Sequence, residues 1–560
     1  MRSKRLLPSR RDLLQVALPG FAGMSLVGCA HRGRNGVGSY GYDVRAFGAV
    51  GNGVVDDTAA VQGALDACAS LGGGLVVVPA GVYHIRPIEL KSKTTLHLEA
   101  GATLLASTRL EDYMQTANKT SHESTRVGLV RAVKADDVSL VGRGAIDGRG
   151  TAFITNDLTY PGKDFDRSVT RQGAEYMKEG TVFQHGPFKR GDDRPGNLVH
   201  FTDCNNVHIE GITIKNSPTW TSHFAHCRDV LIHGVHIHTR DHDLRIPNDD
   251  GIDIEHCKRV RITGCDIETG DDPIAIFSSE DITVSSCVLT TRSTGLRIGY
   301  NGPDIRNCVF DNLVIRGANR GLSIFVRAEG SVENILFSNI TIETRHFTGR
   351  WWGRAEPIHI SALRHEGDTH SPGRIRNVGF QNIVASGEAG ILIHGAAESI
   401  IEDVHFDHMR LRITKGDLQK DYGGNLDLRS TNNPKTAVVQ HDIPALYARF
   451  VRGLRVEDFQ VSWDEGVPDY FTNAIAVEDF EDVRLYDVRV RQAHAEGAAI
   501  SLLRGKDVAI RESRADAGTD QFVHHQDVTG RLLLDRNDTR LAKKAVSPDA
   551  GATVTGDAPD

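Results

Sequence analysis

Short runs in which apolar and polar residues alternate recur along most of the chain, each opened by a polar pair and closed by a small or polar corner. Examples are NNVHIEGITIKNS, RDVLIHGVHIHTR, KRVRITGCDIETG, EDITVSSCVLTTR, NCVFDNLVIRGAN, ENILFSNITIETR and RNVGFQNIVASGE. Their leading apolar residues are Val207, Val230, Val260, Ile282, Val309, Ile335 and Val378, at intervals of 22 to 43 residues. Period-two alternation, β-branched side chains and Gly, Asn or Asp corners predict strands. Units this short cannot each bury an apolar face and must stack. The pattern predicts an all-β parallel helix of coils, each about 4.8 Å above the last, with a basic unit of about 22 residues and insertions. A propeller blade would need four strands in roughly 40 residues, which this spacing disfavours.

One stretch carries the helical period instead. In DDTAAVQGALDACASLGGG, Asp56 or Asp57 can cap, Ala60, Val61, Ala64, Leu65 and Cys68 form one apolar face, and the glycines stop the helix. A helix over 57–70 would cover the open first coil, whose unpaired edges need protection. The poorly periodic stretches 151–190, 345–373 and 416–447 read as loops on the coil. A single β-helical domain over 41–540 is expected, with 541–560 a disordered tail.

The first 28 residues read as an export leader rather than part of the fold. Arg10-Arg11 before a Gly-containing apolar run resembles a twin-arginine signal, and LVGCA at 26–30 looks like a lipoprotein processing site. Cys29 would then be lipidated and 29–40 would be a flexible tether. The predicted protein is exported, facing the periplasm or cell surface, with the lipid as its membrane contact. The apolar run is shorter than the roughly 20 residues of a spanning helix.

Charge and cysteine narrow the function classes. The chain carries a formal charge of -8, and without the leader 60 basic residues face 72 acidic ones. No dense basic block follows the leader, so a nucleic-acid footprint is unsupported. Seven cysteines follow Cys29 with no CxxC, which speaks against a disulfide framework. Cys204, Cys227 and Cys257 each precede the same strand position and read as a buried column. His223, His226, His236 and His238 alternate with core residues; no tight metal-binding signature accompanies them and no cofactor is implied. A G-x-S-x-G elbow is missing, so an esterase site has no support. A solenoid satisfies its own strands, and a monomer is expected.

The chemistry centres on two carboxylate pairs, Asp249-Asp250 and Asp271-Asp272, separated by 22 residues, one minimal coil. Ile252/Ile254 and Ile274/Ile276 take the core positions, so the acids come at the strand starts on one wall. Crowded carboxylates push their pKa values apart, leaving one protonated while others ionise. That equips a glycoside hydrolase; a divalent-cation site of hard oxygens and solvated corners are the competing readings. For inversion, carboxyl separations of about 6.5–9.5 Å are expected.

Asn248-Asp249-Asp250-Gly251 and Gly270-Asp271-Asp272 resemble the N-x-D-G and G-D-D motifs of the polygalacturonases, glycoside hydrolase family 28. FGAVGNGVVDDTAAVQGALDAC and GGGLVVVPAGVY within 47–83, GAIDGRG at 144–150 and NSPTW at 216–220 fit the same family. The resemblance covers roughly 42–345. It implies a right-handed, single-stranded parallel β-helix of the pectin-lyase-like kind. It also implies inverting cleavage of a pectin-like or related acidic polysaccharide, with Asp271 as general acid and Asp250 and Asp272 activating water. Two motifs depart from it. Ser293-Thr294-Gly295 stands where the family has Gly-His-Gly, and Ser323-Ile324-Phe325 where it has the Arg-x-Lys clamp for a uronate.

Other residues become candidate sugar contacts: Asn248 in the motif, His242 and Arg245 in the preceding loop, and the guanidiniums of Arg297 and Arg327. Adjacent Trp351 and Trp352 suit stacking on a sugar face, with Arg354, Glu356 and His359 at hand for hydroxyls or charge. Two alternatives stay open: a β-helical lyase using a basic residue and a cation, and a non-catalytic glycan-binding β-helix.

Overall fold

The computed structural model describes residues 41–115, 125–153, 194–239, 248–347, 352–365, 367, 369–419, 423–431 and 437–546, with strands Val37–Gly38 and Thr553–Gly556 beyond them. It is a right-handed parallel β-helix whose consecutive coils pair in register along three walls. Asn205–Glu210, Arg228–His233, Lys258–Thr263 and Glu280–Ser285 form one wall. Thr213–Lys215, His236–His238, Asp266–Glu268 and Val288–Thr290 form the second. Ser222–Ala225, Ile252–Glu255, Ile274–Phe277 and Thr294–Tyr300 form the third, which carries the acids. Further along, two walls merge into continuous strands such as Ser331–Thr344 and Arg374–Gly387.

The polar pairs that open each repeat have a conformational reason. Their second members, Asn206, Asp229, Arg259, Asp281, Asn307, Asn334 and Asn377, all sit in the left-handed region with φ between 54° and 60°. Asn and Asp tolerate that region best. Arg259 is the exception, and its guanidinium makes two 2.6 Å hydrogen bonds to Asp229 on the coil below. The asparagines ladder between coils, Asn334 Nδ2 donating to Asn307 Oδ1 at 3.2 Å and Asn377 Nδ2 to Asn334 Oδ1 at 2.8 Å.

The residue after each corner enters the core: Val207, Val230, Val260, Ile282, Cys308, Ile335 and Val378 are register partners. This corrects one position of the sequence reading. The corner falls at Asn307, so Cys308 points inward and Val309, expected in the core, faces out. Phe310, Phe337, Phe380 and Phe406 stack through the core at 4.8–5.0 Å. The seven described cysteines are free and buried. Cys204, Cys227 and Cys257 form the expected column, each thiol meeting a backbone carbonyl on the coil below.

The helix spans Thr58–Ser70 and buries Ala60, Val61, Ala64, Leu65 and Cys68 over the first coils. Asp56 accepts from Thr58 N at 3.0 Å, whereas Asp57 accepts from Val50 N and Gly51 N and ties the preceding loop down. Two expectations for irregular segments change. Within 345–373, Glu356–Ala362 is a wall strand paired with Arg320–Val326. Within the tail expected to be disordered, Ala542–Val546 and Thr553–Gly556 pair in parallel with Thr519–Asp535, so the coil continues past 540. Of the 416–447 insertion, Asn425–Asp427 and Val438–Gln440 form a small antiparallel ribbon.

Candidate active site

Strand alternation sorts the third wall into lumen and outer face. Ile252, Ile274, Leu296, Leu322 and Ile358 are register partners inside, and all are buried. Their neighbours His223, Asp253, Ala275, Arg297, Ser323 and His359 form the outward column. Asp250 and Asp272 stand two residues before Ile252 and Ile274, on adjacent coils joined by Gly251 N donating to Asp272 O at 2.9 Å. One carboxylate oxygen each from Asp250, Asp271 and Asp272 lies within 4.8 Å of the others. Among the described residues this triad is the acidic, His or Cys group close enough to hold a cation, which Ca²⁺ or Mg²⁺ would favour for its oxygen donors.

The turn bearing Asp271 and Asp272 is held by the carboxylate of Asp249. Its Oδ1 accepts from Asp271 N at 2.9 Å, and its Oδ2 from Gly270 N at 3.0 Å and Thr239 Oγ1 at 2.8 Å. A Cβ on Gly270 would lie 2.8 Å from Asp249 Oδ1, so a side chain there would push the bracing carboxylate out of place. The first Asp of the N-D-D-G motif is thus a brace, and the second reaches the site. Asp272 Oδ1 accepts from Ser293 Oγ at 2.8 Å and Thr294 N at 3.0 Å. The Ser-Thr-Gly turn therefore takes up this acid through a hydroxyl and a backbone amide.

Arg297 is the cation of the cluster. Its Nε is 2.6 Å from Asp272 Oδ2 and its Nη2 3.6 Å from Asp250 Oδ2, and Ala275 leaves it room to lean back one coil. Its guanidinium lies over Phe277 at 4.9 Å and Tyr300 at 5.4 Å. Acids outnumber this cation. Desolvation, followed by the neighbouring carboxylates Asp271, Asp253 and Asp272, raises Asp250 well above the ordinary Asp value. Desolvation and the charge of Asp272 do the same for Asp271. Asp253, fully buried, is raised by desolvation, with Arg297 opposing. The raised carboxyls hold their protons more tightly than an ordinary Asp, so one can donate while another carboxylate serves as a base, the division of labour acid–base catalysis requires.

Several buried polar atoms on this face have no hydrogen-bond partner among the described residues: both oxygens of Asp253, Ser323 Oγ, His359 Nδ1, Thr221 Oγ1, and Nε and Nη1 of Arg327. Buried polar groups normally find partners. A row of open donors and acceptors beside an acid cluster suits the hydroxyls of a sugar.

The other candidates are dispersed. Asn248 Oδ1 accepts from Arg194 Nη2 at 3.2 Å and adopts φ 60°, shaping the turn before the acids. Trp352 stacks on Tyr300, ring centroids 5.5 Å apart, so it reaches the cation cluster. Glu356 is engaged through Oε2, by Arg320 Nε at 3.2 Å and Arg354 N at 2.7 Å. His359 is buried beside Ser361 Oγ, and burial holds its pKa well below the usual histidine value. His242, Arg245, Trp351 and Cys29 lie outside the described residues. Sequence reasoning missed Asp249 as a brace and Asp253, Ser293 and Tyr300 as site components. For Asp253 the alternation Ile252-Asp253-Ile254 held the signal.

A family model described as Glycosyl hydrolases family 28 matches residues 68–416, more than half the chain. An exo-poly-alpha-D-galacturonosidase of Dickeya chrysanthemi is 28% identical over 213 residues, 34% of this chain and 35% of that protein. An exopolygalacturonase of Zea mays is 28% identical over 214 residues, 38% of this chain and 42% of its own. The matched segment thus spans well under half of either relative. The solved exopolygalacturonase of Thermotoga maritima superposes with a TM-score of 0.52 at 26% identity, covering 67% of this chain and 88% of that one.

Proposed function

From the premise that the chain belongs to glycosyl hydrolases family 28, we propose that it cleaves glycosidic bonds in a pectin-like or related acidic polysaccharide or its fragments. Asp271 is the general acid, protonating the leaving oxygen. Asp250 and Asp272 activate the attacking water, one of the two accepting its proton, and Asp249 fixes the turn that presents Asp271 and Asp272. The observation that carries this reading is the meeting of Asp250, Asp271 and Asp272 within 4.8 Å on adjacent coils. Desolvation raises Asp271, as a proton donor at neutral pH needs. Asp272 sits among Ser293, Thr294 and Arg297, the donors a carboxylate base would keep.

The nearest oxygens are closer than the roughly 6.5–9.5 Å at which carboxyl pairs flank a water in inverting enzymes. Inversion is therefore inferred from the family resemblance, not from the spacing. Proton NMR of the first product anomer tests it, and a retained configuration rejects it. Product release from galacturonan, rhamnogalacturonan and neutral oligosaccharides, comparing the unaltered chain with Asp271→Asn, tests the acid; equal release by both overturns the assignment.

The leader supports export and tethering through Cys29. Among the described residues no helix is long and apolar enough to cross a membrane. Membrane association of a Cys29→Ala variant equal to that of the unaltered chain would reject the tether.

A further inference from the structure

Arg327 follows the wall strand Arg320–Val326 and is only 3% exposed. Its side-chain partners are His365, which Nη2 approaches, and the ring of Tyr300, 4.4 Å from Cζ. No carboxylate pairs with it among the described residues, and neither Nε nor Nη1 has an acceptor. Arg320, at the other end of the same strand, makes an instructive control. It is fully buried too, yet Glu356, Asp427 and the carbonyls of Asp427 and Arg429 supply it completely. Burying a guanidinium is costly unless it is paired and hydrogen-bonded, and its charge cannot be shed. An open, buried arginine thus marks a place for an anion that the described residues do not provide.

Its position says which anion. Alternation puts Arg327 on the outward side with Ser323, and Arg327 N donates to Tyr300 O at 3.2 Å on the coil below. The Tyr300 ring is shared: Arg327 lies against it and so does Arg297, which contacts the acids. Trp352 stacks on the same ring. The aromatic surface therefore links the reacting centre to an unpaired cation.

We propose that Arg327 binds an anionic substituent, a carboxylate or a sulfate ester, on a sugar seated against Tyr300 next to the acid triad. The proposal rests on the glycoside-hydrolase reading for its ligand class. Tyr300 and His365 hold the guanidinium in place, so little ordering accompanies binding. The anion sits beside Arg327, with Tyr300 and Arg297 between it and Asp272.

The test is equilibrium binding of galacturonotriose, galactotriose and a sulfated galactotriose to the full chain carrying Asp271→Asn, with Arg327 intact or changed to Gln or Lys. The expected result is tighter binding of an acidic trisaccharide than of the neutral one. Arg327→Gln should weaken the acidic ligand about 10–100-fold, the range of a charged hydrogen bond, and leave galactotriose unchanged. Arg327→Lys should retain part of the preference, and it replaces the Gln variant should that one not fold. Whichever acidic sugar is preferred identifies the anion. The proposal is overturned if the chain with Arg327 shows no preference for either acidic sugar, or if Arg327→Gln keeps the preference or weakens all three ligands alike. Hydrolysis by the chain with Asp271 intact reads the parent function separately. An anion preference lost in Arg327→Gln, without turnover of any substrate, would remove the hydrolase reading and leave the Arg327 site standing.

Discussion

Two clusters of buried charge meet the third wall, one at its acids and one where the Asn425–Asp427 ribbon packs on Arg320 and Glu356, and they are built oppositely. Around Asp427, Arg429 Nη2 at 2.6 Å, Arg320 at 3.7 Å and Arg354 at 3.9 Å surround one carboxylate, with Glu356 beside Arg320. These cations outweigh desolvation and hold Asp427 far below the ordinary Asp range. Around Asp271 the imbalance reverses: Asp250, Asp253, Asp271 and Asp272 share Arg297, and Asp250, Asp253 and Asp271 are raised. The first cluster is saturated; it pins the Asn425–Asp427 ribbon and, through Gly353 N on Asp427, the Trp352 segment to the coil. The second leaves oxygens open. Buried charge that is satisfied serves the fold, and buried charge in surplus lies where the proposed chemistry is placed.

That contrast can be broken at defined points. The largest effect is expected at Asp271→Asn, which should lower kcat about 10²–10⁴-fold without lowering the melting temperature; an inactive variant that also unfolds would make Asp271 a structural residue. Asp427→Asn should do the converse, costing about 3–5 kcal/mol of stability, read by urea unfolding. Asp427 has a lowered folded pKa. Its contribution is therefore full above the unfolded Asp range and fades as pH falls toward the lowered folded value. The gap between variant and parent should narrow in acid.

Arg297→Gln should act on the pH profile. Arg297 opposes the raised pKa values of Asp250, Asp253 and Asp271, so its removal lets them rise further. The acidic limb of kcat/KM should move to higher pH, and an unmoved limb with only a raised KM would reassign Arg297 to substrate contact. The smallest effect is expected at Asp253→Asn. Because Asp253 is raised in the folded state, its ionisation destabilises the fold as pH climbs above the unfolded value. The variant should be more stable by on the order of 1 kcal/mol at pH 8 and nearly unchanged at pH 4. A uniform loss at both values would contradict the surplus-charge reading.

Much of this was legible in the chain. Period-two alternation and polar corners gave the coil, because a parallel solenoid repeats one local conformation and each repeat carries its own signal. The 22-residue offset placed Asp250 and Asp272 one coil apart for the same reason. Legibility ended where contacts run between distant segments. Glu356 looked like a sugar ligand because nothing nearby in sequence shows that Arg320 will reach it, and Arg297 looked like a free clamp until Asp272 stood 2.6 Å away. Val309 was misplaced by one residue because the left-handed corner at Asn307 resets the strand phase.

By itself the amino-acid order determined the solenoid, its capping helix, the inward-facing aliphatics and the acids at strand starts. These follow from backbone preferences and side-chain periodicity, which act over a few residues. Only the tertiary structure decided which charges meet. It made Asp249 a brace and brought Asp250 to Asp271 and Asp272, neutralised Asp427, left Arg327 open, and carried the coil past residue 540. Electrostatic balance depends on neighbours brought in from other coils and loops, and on the water that burial removes, neither of which a linear pattern contains.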